Sequence, residues 1–98
     1  MLDYGTYKQK PVNVQALRLT EDAWNTSKPA WFSEAVAKQT IQLFGDPEKA
    51  EAMSALVYSK AAGLLKCDYA DWIVLNMHDD FYVVADRVFI EDYSKVGD

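Results

Sequence analysis

The sequence predicts a small α+β domain: an antiparallel β-sheet of about four to six short strands, one main helix packed on it, and a short C-terminal helix. Three observations carry that prediction. The chain has 98 residues, half of them hydrophobic and 13% aromatic, which is enough apolar surface for one core without disulfide staples. Residues 29–39 place their apolar side chains at helical spacing. From residue 56 onward, short runs rich in β-branched and aromatic residues alternate with turn-forming segments.

In chain order, Lys10-Pro11-Val12-Asn13-Val14-Gln15-Ala16 alternates, with Val12, Val14 and Ala16 on one face and Asn13 and Gln15 on the other. That is a half-buried strand, and Pro11 stands at its start, where a missing N–H does least harm. Leu17 and Leu19 move the apolar positions to the opposite face, which calls for a bend or a second covering layer. Asn25-Thr26-Ser27-Lys28-Pro29 is loop chemistry leading into a helix, with the proline in its first turn. Trp31, Phe32, Ala35 and Val36 then share one face of that helix, over residues 29–39. β-Branched Thr40 and Ile41 favour a strand over 40–44, which Gly45-Asp46-Pro47 ends. Residues 47–53 hold good helix formers over only two turns, and read as a short exposed helix or a loop.

Leu56-Val57-Tyr58, Leu64-Leu65-Lys66-Cys67, Trp72-Ile73-Val74-Leu75 and Phe81-Tyr82-Val83-Val84 read as a meander of hairpins turning at 60–63, 68–71 and 76–80. Phe89 and Tyr93 at i, i+4 predict a short final helix, with Asp86 as its N-cap. Trp31 and Trp72 fall at core positions, while Trp24, Tyr4, Tyr7 and Tyr58 are less clearly inside and are candidates for an aromatic binding patch.

The charge is −5 and unevenly spread: residues 1–59 hold seven acids against six bases, residues 60–98 eight against four. An acidic surface repels the phosphate backbone, so direct nucleic-acid binding is not expected. Apolar runs reach about five residues, far short of a membrane span. The opening Met1-Leu2-Asp3-Tyr4-Gly5 has no basic-then-apolar leader pattern. The single cysteine, Cys67, excludes an internal disulfide and suits a reducing compartment. Cytoplasm is the expected location.

The densest titratable group is His78-Asp79-Asp80 with Asp68 and Asp71. One histidine with carboxylates suits a divalent ion only if three or four ligands converge; turn chemistry instead has Asp and Asn side chains bonding the local backbone. Cys67 and His78 form the only cysteine–histidine pair, bracketing the run at 72–75, with no orienting motif beside them. A buried strand cysteine explains Cys67 more simply. Paired acids at Asp68 and Asp71, or Glu91 and Asp92, lack a positioned set around them. No catalysis, cofactor or metal is expected. Asp68, Asp71, His78, Asp79, Asp80, Asp86, Glu91 and Asp92 are instead the candidate partner-binding residues, suited to a protein with a basic surface.

Several stretches resemble the motifs of a group of small phage and prophage proteins of mostly unknown function. Lys10-Pro11-Val12-Asn13-Val14-Gln15-Ala16 is similar to a KPV-x-VEA opening. Ala70-Asp71-Trp72-Ile73-Val74, Asp80-Phe81-Tyr82-Val83 and Val88-Phe89-Ile90-Glu91-Asp92-Tyr93 resemble the group's PGDYII strand, GEFYP strand and terminal piFekTY segment. Order and spacing agree over residues 7–20 and 61–93. The group's Pro-Gly turn is here Tyr69-Ala70, and the glycine before its Glu-Phe-Tyr is here Asp79. If those turns need positive φ, Ala70 and Asp79 are strained where glycine would not be. The resemblance implies a phage or prophage origin more than an activity. Together with the small size, the lack of catalytic parts and the acidic C-terminal half, it leads us to expect an accessory protein that binds a host or phage protein, with inhibition of a bacterial defence system or host enzyme as one form. A self-associating virion or assembly component, or a small metal-dependent hydrolase, are the alternatives.

Overall fold

Strand β2 (Val12–Arg18) shows how the molecule is layered. Val14 and Ala16, on one face, are buried with Trp72, Val74 and Phe89. Leu17 and Leu19, on the other, are buried with Phe32, Ala35, Ile41, Ala55, Val57, Cys67 and Ile73. Asn13, on the same side as Leu17 and Leu19, is exposed. A second layer therefore covers only the latter part of that face, and this explains why the apolar positions change sides.

The computed structural model describes residues 4–9, 12–20, 28–45, 48–49 and 52–95. Around β2 these form β1 (Tyr4–Gln9), α1 (Ala30–Ala37), β3 (Ile41–Phe44), β4 (Ser54–Ser59), β5 (Gly63–Asp68), β6 (Trp72–Leu75), β7 (Phe81–Val84), α2 (Asp86–Asp92) and β8 (Ser94–Lys95). The strand pairings are antiparallel, so the fold is α+β as the sequence predicts. The strands divide between two sheets, β7-β6-β2-β1-β8 and β3-β4-β5. Helix α2 lies on one face of the larger sheet through Phe89; α1 and the smaller sheet close the other.

That division corrects the expected meander. β4–β5 and β6–β7 are hairpins, but the chain changes sheets between them. At the crossing, Asp71 N–H donates to Asp68 O at 3.1 Å, and Ala70 has φ of 72°. This is a type II turn, whose third residue requires positive φ. Ala70 N–H donates to Leu19 O at 2.7 Å and Leu19 N–H to Asp71 O at 2.9 Å. The backbone after the turn is thus taken up by the end of β2, and β6 pairs there instead of beside β5. Strands β1 and β8 are additions that the sequence did not signal, because residues 4–9 lack apolar alternation.

Helix α1 spans 30–37, with Pro29 as N-cap; its carbonyl accepts from Phe32 and Ser33 N–H. It ends two residues short of the expected 39. Gln39 takes φ of 64°, its N–H donates to Val36 O, and Thr40 N–H donates to Ala35 O. That pair of bonds is the Schellman C-cap, and it turns the chain straight into β3. Gly45 follows β3 at φ of 107°, and a Cβ there would meet Ala52 O at 2.6 Å. Of the segment expected as a short helix or loop, Glu48 and Lys49 are in a turn and Met53 is buried. Pro47, Ala50 and Glu51 lie outside the described residues, as do Lys10, Pro11 and Trp24.

Helix α2 forms where expected, but Asp86 is its first residue and Ala85 the N-cap. The Asp86 carboxylate is turned away from the cap, accepting from Trp72 Nε1 at 2.8 Å and pairing with Arg18 at 3.5 Å. The freed helix N–H is satisfied by a different acid: Asp86 N–H donates to Asp71 Oδ1 at 3.1 Å. Phe89 stacks between Trp72 at 3.9 Å and Tyr93 at 4.4 Å, which fixes the helix on the sheet.

Candidate functional site

The site is organised by Asp80, the residue that closes the turn between β6 and β7. Asn76 begins that turn: its Oδ1 accepts from the N–H of His78 and of Asp80, and its carbonyl accepts from Asp79 N–H. Asp79, at φ of 61°, occupies the left-handed position that glycine usually takes in such a hairpin loop. The chain reversal leaves Asp80 8% exposed, pointing at the neighbouring turn between β4 and β5.

There its carboxylate accepts four hydrogen bonds. Lys60 N–H donates at 2.7 Å, Phe81 N–H at 2.9 Å, and Ala61 N–H and Ser59 Oγ at 3.2 Å each. Ser59 Oγ accepts in turn from Ala62 N–H. The Lys60 N–H above all, against the opposing effect of burial, holds the carboxyl below its usual value of 3.8, because these donors favour the charged form. Asp80 therefore clasps a turn of the small sheet to a turn of the large one.

Beside this clasp lies a cleft of about 400 Å³. Helix α1 supplies one wall, with Trp31, Glu34, Ala35 and Lys38; the two turns supply the other, with Lys60, Asp79 and Asp80. Leu75 and Phe81 line it from the hairpin, and Thr40 and Tyr58 from the small sheet. Trp31 and Phe81 hold their ring centroids 6.1 Å apart at 38°. Glu34 and Lys38 form an exposed ion pair at 2.7 Å, which lowers the Glu34 pKa and raises that of Lys38, the Asp79 charge adding to the latter. Lys60 and Asp79 are in no ion pair with a described residue.

The eight candidate partner-binding acids and histidine are not brought into one patch. Asp68, Asp71 and Asp86 lie at one end of β6, and His78, Asp79 and Asp80 at the other, about 13 Å away at the rise of a four-residue strand. Glu91 and Asp92 are exposed on α2, across the large sheet from α1. Three of the eight are engaged inside the fold: Asp71 with the α2 N-terminus, Asp86 with Trp72 and Arg18, and Asp80 with its four donors. Asp68 pairs with Lys66 at 3.5 Å. Only Asp79 and Asp80 also line the cleft.

Cys67 is completely buried on β5, and burial, with Asp71 and Asp68 adding to it, pushes its thiol up to about 12. Such a thiol stays protonated, so Cys67 is no nucleophile near neutral pH. His78 is exposed at the turn tip. Among the described residues no group of three His, Cys, Asp or Glu is arranged to hold a metal ion. No helix among them is long and apolar enough to cross a membrane. Of the aromatic candidates, Trp72 is buried, Trp31 and Tyr4 are half-buried, and Tyr58 is 54% exposed. The Tyr7 side chain lies outside the described residues.

Among the cleft residues that the sequence did not single out for binding, Glu34 and Lys38 share i, i+4 spacing, but no spacing groups them with Lys60, Leu75 and Phe81, which come from three other segments. Comparison with protein-family models, with curated proteins and with solved structures finds no match to this chain.

Proposed function

We propose that this chain is a binding protein without chemistry of its own, of the phage or prophage accessory kind its motifs resemble. On this reading it works in the host cytoplasm, engaging a host or phage protein through the cleft between α1 and the two turns. Inhibition of a bacterial defence system or host enzyme is its concrete form. The observation that carries the reading is the cleft: Trp31, Leu75 and Phe81 line it beside Lys60 and Asp79, which form no ion pair with a described residue. Interfaces concentrate their energy in such partly enclosed aromatic pockets.

Two further observations support it. Cys67 is held in the core, and Asp71, Asp80 and Asp86 are engaged in structural hydrogen bonds. The phage origin is supported by backbone geometry: the two positions where the resembling group carries glycine, Ala70 and Asp79, both have positive φ. A partner with a broad basic surface gains less support, since the acids stand in separate groups.

A tagged form incubated with lysate of phage-infected bacteria should retain a partner, and Tyr58→Ala or Lys60→Glu should weaken retention. Retention unchanged by both substitutions would remove the cleft from the proposal. One observation favours self-association as a second reading. Tyr58 and Leu64 face each other across the β4–β5 ladder, 54% and 66% exposed, on a sheet whose β3 and β5 edges pair with no further strand among the described residues. Light scattering that reports a single chain at high concentration would dispose of that reading.

A further inference from the structure

We infer that the cleft receives one aromatic side chain from a partner peptide in which that residue is flanked by one acidic and one basic residue. The inference rests on the cleft being the binding site, and it adds the chemistry of what enters. Size comes first. At about 400 Å³ the cleft is at the small end of ligand pockets, which matches a single large side chain instead of a folded surface.

The lining then selects the side chain. Trp31 and Phe81, tilted at 38° with centroids 6.1 Å apart, leave ring surface facing the cleft. Aromatic rings favour tilted and edge-to-face partners at 4.5–7 Å, so a third ring entering there extends an existing cluster.

Charge selects the flanks. Each wall carries charges of both signs: Lys38 with Glu34 on the helix, and Lys60 with Asp79 and the hydrogen-bonded Asp80 on the turns. The helix pair satisfies itself at 2.7 Å, whereas Lys60 and Asp79 form no ion pair with a described residue, Asp79 acting on Lys38 only at longer range. A strongly basic partner would meet Lys38 and Lys60, and a strongly acidic one Glu34, Asp79 and Asp80, so either is repelled as well as attracted. A segment carrying one charge of each sign meets both Lys60 and Asp79 without that conflict.

The test uses the intact protein, isotope-labelled, and blocked pentapeptides followed by amide chemical shifts. Acetyl-Gly-Lys-Trp-Asp-Gly-amide and its charge-reversed isomer should shift the amides of Leu75, Phe81 and Ala35, with one isomer preferred. The analogue with serine at both charged positions should bind roughly three- to thirtyfold more weakly, since exposed charge pairs each contribute a few tenths to one kcal/mol. Replacing the peptide's tryptophan by alanine should abolish the shifts. Lys60→Glu, at an exposed position, should narrow or reverse the preference between the isomers.

Equal binding of the serine analogue would overturn the assignment of the flanks, and shifts confined to residues outside the cleft would overturn the site. If no tryptophan peptide moves the cleft amides while lysate capture still depends on Tyr58, the aromatic anchor is wrong and the partner-binding reading survives. If capture is also indifferent to Tyr58 and Lys60, that reading falls as well.

Discussion

At the scale of single residues, the backbone carries a stability reserve at three places. Ala70, Asp79 and Gln39 occupy left-handed conformations with φ of 72°, 61° and 64°. An L-residue there is disfavoured by about 1–2 kcal/mol relative to its usual regions, and glycine by much less. Ala70→Gly should therefore stabilise the protein by about 1 kcal/mol in urea unfolding, after the extra chain entropy of glycine is deducted. Asp79→Gly should gain less, because Asp tolerates this conformation through local hydrogen bonds. A loss of stability from Ala70→Gly would contradict the type II turn. The sequence pointed to Ala70 and Asp79 through the glycines of the resembling group; Gln39 had no such marker. Cys67 makes a second residue-scale prediction. With its thiol buried and pushed up to about 12, thiol reagents at pH 8 should label it only as fast as the protein unfolds. Rapid labelling of the native protein would show that β5 is open.

At the scale of elements, two devices hold the layers together. Asp80 joins the turns, and its pKa is lowered on folding, so its contribution is fully present above the unfolded value near 3.8 and is lost as pH falls through the lower folded value. The melting temperature should accordingly drop as pH is taken below about 4, and Asp80→Asn should flatten part of that dependence while lowering stability at pH 7. A pH profile identical in wild type and Asp80→Asn would show that the clasp contributes nothing. The second device is the Trp72–Phe89–Tyr93 stack. Phe89 is the buried residue of α2, so Phe89→Ala should cost about 3–5 kcal/mol and detach the helix, visible as loss of the near-ultraviolet aromatic signal. The Tyr93 hydroxyl lies 3.3 Å from that of Tyr82, and burial, then this contact, raises its pKa above the ordinary phenol value. It should not ionise in titrations through pH 10.

At the scale of the whole molecule, the five-stranded sheet is covered on one face by α2 and on the other by α1 and the three-stranded sheet, and the cleft forms where that second layer ends. Its walls come from α1, the β4–β5 turn and the β6–β7 turn, which no covalent proximity unites. If partner binding is its role, the free protein should behave as a single chain in light scattering. A stable dimer would point to the open face bearing Tyr58 and Leu64. Gly45→Ala probes the closure of the second layer. The added methyl would approach Ala52 O to 2.6 Å at a φ that disfavours side chains, and should cost about 1–3 kcal/mol. An unchanged midpoint would mean that the 45–53 connection yields without effect on β3 and β4.

The sequence by itself determined which segments are helix and which are strand, β1 and β8 excepted, because the others report their own periodicity: the alternation in β2, the helical face of α1, and the β-rich runs that became β4 to β7. It also determined that Leu17 and Leu19 need cover on a second face. Only the tertiary structure decided which strands pair. The capture of Ala70 and Asp71 by the end of β2 sends β6 to the larger sheet, and that choice depends on hydrogen bonds between residues some fifty positions apart. The same holds for the acids. Asp71, Asp80 and Asp86 look like surface charge in one dimension, yet the donors that engage them are supplied by other turns, a side chain and a helix end. Local pattern fixes local conformation, whereas the site is made by contacts that close only when distant segments meet.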